Sequence, residues 1–106
     1  MIRKSFSIQA RPGKAGEYEH RHNPIWPQLE EVLKRHGLHN YSIFLDEQSN
    51  RLFGYVEVED EERFKALADV EVCHRWWKDM TALLESDAPD SPKAREVELR
   101  EVFHMD

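Results

Sequence analysis

Apolar and polar residues alternate from the start of the chain, with Ile2, Phe6 and Ile8 on one side and Arg3, Ser5, Ser7 and Gln9 on the other. A period of two predicts a strand over residues 2–10, and Arg11-Pro12-Gly13 is turn chemistry that ends it. From about Lys14 to His36 the spacing becomes helical, interrupted by Asn23-Pro24 and Pro27. Proline removes an intrahelical donor and clashes with the preceding turn, so this segment kinks or breaks. A second helical piece can start with Asn23 as cap and Pro24 in the first position. Gly37 suits a C-terminal cap. Residues 38–46 and 51–58 then read as strands rich in Tyr, Ile, Phe and Val, joined by the polar hairpin loop Asp46-Glu47-Gln48-Ser49-Asn50. Asp60 is placed to cap a short helix carrying Phe64, Leu67 and Ala68. After Asp69 another helix carries Val72, Cys73, Trp76, Trp77, Met80, Leu83 and Leu84 at helical spacing. The stretch from Ser86 to Pro92 reads as a loop, and residues 96–104 as a last strand.

The resulting order, β-α-β-β-α-β, is the ferredoxin-like pattern of an α+β sandwich, an antiparallel sheet with helices on one face. A single domain over residues 1–106 leaves the other sheet face uncovered. A second copy of the chain is the expected cover, which makes the protein a homodimer.

Composition narrows the partners. Hydrophobic residues make up 40% and charged residues 34% of 106, as in an ordinary globular domain. The formal charge is -6 with the acids dispersed, and Arg3-Lys4 is the nearest thing to a basic patch. Neither nucleic acid nor an anionic membrane surface is an expected partner. The one cysteine, Cys73, has no internal disulfide partner. The N-terminus lacks the apolar core of a signal peptide and no apolar run approaches the roughly 20 residues of a membrane span, so a cytoplasmic location is expected.

Tyr18 and His22 lie four apart in a helical stretch and therefore share a face. Trp26 would extend that stripe if the helix continued past Pro24. Aromatic faces pack against sugar C–H groups while hydroxyl and imidazole groups bond oxygens, so the stripe suits a sugar site. From spacing alone it reads first as an amphipathic helix whose Tyr and His tips reach water. The proline-broken segment is either a re-aiming device or a plain joint between helices. Trp76 and Trp77 point about 100° apart on a helix, so one packs into the core and the other faces a cleft or a partner, unless both serve the core. Tyr41 is in phase with Ile43 and Leu45, which places a buried ring with its hydroxyl at an edge or pocket. Tyr55 has a weaker version of the same reading. The six histidines and Cys73 fall in no recognised metal-ligand spacing, and no phosphate loop or nucleophile motif is present. No metal and no cofactor is expected.

Three separated runs carry a family resemblance. Glu17-Tyr18-Glu19-His20-Arg21-His22-Asn23-Pro24-Ile25-Trp26-Pro27, His39-Asn40-Tyr41-Ser42-Ile43 and Cys73-His74-Arg75-Trp76-Trp77-Lys78 resemble, in order and spacing, the motifs of the L-rhamnose mutarotases. The likeness includes the opening Met1-Ile2-Arg3-Lys4 and spans all but the segment near 85–95 and the last residues. It implies a dimeric ferredoxin-like fold of the α/β-barrel type and cofactor-free interconversion of the α and β anomers of L-rhamnose. It also implies His22 as proton donor and Tyr18, Tyr41, Trp76 and Trp77 as sugar-binding residues; the chemistry of ring opening then puts His22 at the ring oxygen as the acid. The base stays open between Tyr18, a water and a backbone group. Two other functions fit the fold: a cofactor-free monooxygenase, which would want an apolar slot for a flat substrate, and a small-molecule sensor, which would want a regulatory partner domain.

Overall fold

A computed structural model describes residues 1–106. Its elements run β1 (Ile2–Gln9), α1 (Ala15–Arg21), α2 (Pro27–Arg35), β2 (Leu38–Asp46), β3 (Arg51–Val58), α3 (Glu61–Lys65), a 3-10 turn (Ala66–Asp69), α4 (Glu71–Met80) and β4 (Val97–Leu99). The four strands pair antiparallel in the order β2-β3-β1-β4. This is the expected ferredoxin-like α+β topology, with the first helical segment of the pattern in two pieces and the second in three. No helix is long and apolar enough to cross a membrane.

The period of two sorts the sheet into two faces. Ile2, Lys4, Phe6 and Ile8 lie opposite Val58, Val56, Gly54 and Leu52. This row meets the helices, and its Ile8, Leu52, Val56 and Val58 are buried with Leu29, Val32, Val72, Trp76 and Met80. Each such aliphatic side chain contributes about 1.5–3 kcal/mol through the water it leaves. Lys4 tolerates this row because its Nζ donates to Glu61 at 2.9 Å and lies 5.0 Å from the centre of the Phe64 ring. The opposite row carries Ser5, Ser7, Phe53 and Tyr55, extended by Phe44 on β2 and by Val97 and Leu99 on β4.

Pro27 decides where the second helical piece begins. A residue before proline is pushed out of the α region, and Trp26 accordingly sits extended at φ -56°, ψ 128°. The helix therefore starts at Pro27, not at Pro24 with Asn23 as cap. Asn23 instead closes α1 from behind, its Nδ2 donating to the Glu19 carbonyl at 2.8 Å. The Asn23-Pro24 peptide is cis. Gly37 holds φ +82° after α2, the left-handed position that ends a helix.

Two further expectations are adjusted. Asp60 occupies the cap position of α3 but makes no side-chain cap bond. The last strand covers Val97–Leu99 and not 96–104. Past Leu99 the ladder gives way to a side-chain fork, in which Arg3 Nε and Nη2 donate to the two Glu101 carboxylate oxygens at 2.7 and 3.0 Å.

Candidate active site

A cavity of about 1040 Å3 opens between α1, α2, β2 and α4, and Tyr18, His22, Tyr41, Trp76 and Trp77 all line it. Chain positions 18 to 77 thus converge on one space.

Helix α1 positions the first pair. Tyr18 and His22, one turn apart, bring their rings to 4.2 Å. His22 is half-buried at the C-terminal cap of the helix, and its Nδ1 lies 2.8 Å from the Tyr18 carbonyl oxygen. A carbonyl only accepts, so Nδ1 carries the proton in that bond. In the neutral ring Nε2 is then a bare acceptor, and it makes no hydrogen bond within the chain. Desolvation lowers the His22 pKa from its ordinary value, and the Tyr18 carbonyl offsets that only in part. The resting imidazole is neutral. Tyr18 is buried, and desolvation above all keeps its phenol protonated well past the usual tyrosine range, with Tyr41 and Glu96 adding to the effect.

Helix α4 supplies the tryptophans and answers which one packs inward. Trp76 is buried and offers ring edges to His22 at 5.1 Å and Trp26 at 5.0 Å. Trp26 thus reaches the aromatic cluster from outside the helix, since α1 has ended before it. Trp77 is half-buried, meets His74 edge-on at 5.5 Å and carries Lys93 Nζ 5.4 Å from its ring centre. The inner tryptophan braces the imidazole, and the outer one forms the wall nearer solvent.

Tyr41 reaches the cavity through an irregularity in β2. Leu38 pairs with Val58 and His39 with Glu57, but Ser42 pairs with Tyr55, which leaves Asn40 and Tyr41 opposite one residue. Asn40 takes φ +47° and its Nδ2 donates to Glu57 Oε1 at 2.8 Å, which holds this β-bulge. The extra residue shifts the phase, so that Leu38 and then Tyr41, Ile43 and Leu45 face the helices. Tyr41 is 43% exposed as a residue. Its phenol oxygen is nonetheless desolvated enough to raise its pKa far above the usual range, again with Glu96 contributing. It lines the cavity from a partly exposed position.

Four participants were not legible as site residues. Gly54 leaves room for the Phe6 ring, which meets Tyr41 edge-on at 6.3 Å; an isolated glycine in a strand is the signal for such a close approach. Asn40 forms the bulge. The Glu96 carboxylate acts on both tyrosines. Cys73 lines the cavity wall but is buried, and desolvation raises its pKa, so it stays a protonated thiol. Tyr55 is not part of the site: its hydroxyl donates to Glu57 at 2.8 Å.

Together these groups offer a proton acceptor, two protonated phenols and apolar aromatic walls. Such a combination has the groups needed to hold a small polyol and to exchange a proton with one of its oxygens.

Comparison with known proteins gives the family. Residues 3–105 match the family model described as L-rhamnose mutarotase. The chain is 53% identical over 105 residues to an L-rhamnose mutarotase of Escherichia fergusonii and 52% identical to one of Shigella flexneri, covering 99% of each protein and of itself. Among solved structures, it superposes on an L-rhamnose mutarotase from Formosa agariphila with a TM-score of 0.87 at 33% identity, over the whole of both chains. An antibiotic biosynthesis monooxygenase gives a TM-score of 0.54 at 14% identity, over 96% of this chain and 99% of that one, a likeness of fold alone.

Proposed function

The chain belongs to the L-rhamnose mutarotase family, and from that membership we propose how it works: it is an isomerase that interconverts the α and β anomers of L-rhamnose by acid–base-assisted ring opening and reclosure. The observation that carries the mechanism is the bond from His22 Nδ1 to the Tyr18 carbonyl, which leaves Nε2 a bare acceptor on a ring that lines the aromatic cavity.

A pyranose opens when the anomeric hydroxyl loses its proton and the ring oxygen gains one. His22, expected as the acid at the ring oxygen, begins instead as the acceptor at the anomeric hydroxyl, because its resting ring is neutral. It takes the anomeric proton and becomes the donor that returns it on reclosure, so the donor role follows from the acceptor role. The C1–C2 bond turns in the open aldehyde, and closure on the other face gives the second anomer. Neither oxidation nor group transfer occurs, so the reaction asks for no redox or carrier cofactor. A positioned acid or base contributes roughly 10²–10⁴-fold.

Tyr18 and Tyr41 bind sugar hydroxyls as phenols, since burial keeps both protonated. Trp76 and Trp77 cover the apolar sugar face, including the C6 methyl of a 6-deoxy sugar. The open sheet face takes a second copy of the chain, and the protein works as a cytoplasmic homodimer.

Saturation-transfer NMR on the anomeric protons of L-rhamnose tests the proposal. Wild-type protein should speed exchange between the two anomers well beyond buffer. Exchange at the buffer rate would overturn it.

A further inference from the structure

The roles of the five cavity residues leave the proline-broken stretch Asn23-Pro24-Ile25-Trp26-Pro27 without a purpose. We propose that Trp26 is a positioning residue for the reaction: it backs Trp76 from outside the sugar cavity and so holds that indole against His22. This inference rests on the mutarotase reading above, and it makes the stretch a re-aiming device instead of a plain joint.

Placement comes first. Helix α1 ends at Arg21 and Trp26 is extended, so Trp26 does not continue the stripe of Tyr18 and His22. Its backbone is held by α2, whose Glu30 N–H donates to the Trp26 carbonyl at 3.0 Å. The half-buried indole packs against the core and meets Trp76 edge-on at 5.0 Å, with the ring planes 83° apart. Trp76 in turn meets His22 at 5.1 Å and 81°. The inner tryptophan therefore has two aromatic neighbours, the imidazole and the Trp26 indole.

Two cavities meet at this point. A second one, of about 320 Å3, is lined by His20, Arg21, Trp26, Asp79 and Met80. Trp76, Asn23 and Pro24 line both it and the sugar cavity, whereas Trp26 lines only the outer one. Trp26 thus stands on the far side of Trp76 from the sugar. Without its indole, Trp76 loses an edge-to-face partner and gains the space of the second cavity to turn into. An indole free to change rotamer no longer fixes the imidazole beside it. A misplacement of about 1 Å at the reacting groups can cost roughly 10²-fold in rate.

The same wall keeps water from the imidazole. Desolvation is what lowers the His22 pKa, and the Tyr18 carbonyl opposes it. Tyr18 and Glu19 from α1, Glu30 and Lys34 from α2, His39 and Tyr41 from β2 and Cys73 from α4 share the cavity with His22. None of these side chains is a cause of the shift. Opening the wall towards the polar outer cavity, with His20 and Arg21 from the α1 end and Asp79 from α4, admits water to the ring. The titration of His22 is therefore a measure of whether Trp26 holds the wall in place.

Trp26→Ala, Trp26→Leu and Trp26→Phe test the role through two readouts. One is the titration of the His22 imidazole by NMR; the other is anomer exchange of L-rhamnose against sugar concentration. In Trp26→Ala the His22 pKa should rise towards the ordinary 6.5, and kcat should fall by roughly 10- to 10²-fold. KM should rise as well, because Trp76 also covers the sugar. Trp26→Phe should restore most of both readouts, since it keeps a ring edge against Trp76, whereas Trp26→Leu fills space without a ring and should not. Far-UV circular dichroism identifies a variant that fails to fold, and if Trp26→Ala does, the Leu and Phe pair carries the comparison. Wild-type titration and kcat in a folded Trp26→Leu would overturn the role of Trp26. So would a loss of rate with the His22 titration unmoved, and either result would leave the mutarotase reading standing. Wild-type protein no faster than buffer would overturn both.

Discussion

The ring of Phe6 occupies the space in which a side chain on Gly54 would stand: a Cβ there would lie 2.1 Å from the Phe6 Cζ. The two residues are directly opposed on β1 and β3, and the seated ring is what Tyr41 leans against. Gly54→Ala therefore acts on stability and on the site together. Overpacking of this kind costs about 1–3 kcal/mol, and each kcal/mol lowers the Tm of a domain this size by roughly 4–8 °C. Thermal unfolding should show that loss, and KM for the sugar should rise as Tyr41 is displaced. Adding Phe6→Leu should return stability without returning KM, because the leucine clears the space but gives Tyr41 no ring edge. Equal recovery of both would separate Phe6 from the site.

Much of the frame was readable because its signals are local. The alternation over residues 38–46 and 51–58 with a polar loop between them fixes β2 and β3 to their observed ends. In that loop Asp46 accepts from the Gln48 N–H at 3.1 Å and from Ser49 Oγ at 2.9 Å, as turn-forming Asp does. The prolines announced a helix break, but its far end depended on Pro27 acting backwards on Trp26. The five cavity-lining residues drew their proposed roles from the resemblance, since a Tyr/His stripe by itself also describes an ordinary amphipathic helix. The bulge at Asn40 left only a faint trace, the change of phase between Leu38 and Tyr41. Glu96 left none, because its place depends on which edge of the sheet β4 joins, and that pairing is set by contacts some 90 residues apart in sequence.

His22→Ala should lose the rate of one acid–base group, roughly 10²–10⁴-fold, while far-UV circular dichroism stays that of the wild type. The pH dependence has a definite sign. The neutral ring is the active form, and its pKa lies below the ordinary 6.5. Exchange should therefore persist as pH falls through 6.5 and fail at lower pH. Stability follows by linkage: in that window the unfolded ring binds a proton that the folded ring refuses. The contribution is fully present above 6.5 and is lost as pH falls through the folded pKa. Chemical denaturation at several pH values should find this acid loss smaller in His22→Ala. An acid limb at or above 6.5 would contradict a neutral, desolvated imidazole.

Tyr18→Phe and Tyr41→Phe should raise KM and leave kcat nearly unchanged. Each phenol is too reluctant an acid to trade protons with the sugar, so each supplies a hydrogen bond worth about 0.5–1.5 kcal/mol, or roughly two- to tenfold in affinity. Exchange rates measured across sugar concentration separate the two parameters. A kcat collapse in either variant would move that tyrosine into the proton-transfer machinery.

Phe44 should control assembly and leave folding alone. It lies opposite Phe53 on the sheet face away from the helices and is 66% exposed, with Val97 and Leu99 carrying the apolar surface on to the other edge. Contiguous apolar surface of this kind marks an association site, and a self-complementary patch pairs with its own copy about a two-fold axis. Sedimentation should find wild-type protein as a dimer and Phe44→Glu shifted towards monomer, with its dissociation constant at least about tenfold higher, since a buried charge without a partner costs more than the roughly 1.4 kcal/mol that tenfold represents. Because the side chain points away from the core, Phe44→Glu should keep the far-UV spectrum of a folded domain. A wild-type protein that sediments as a monomer at micromolar concentration would leave this face without its proposed cover.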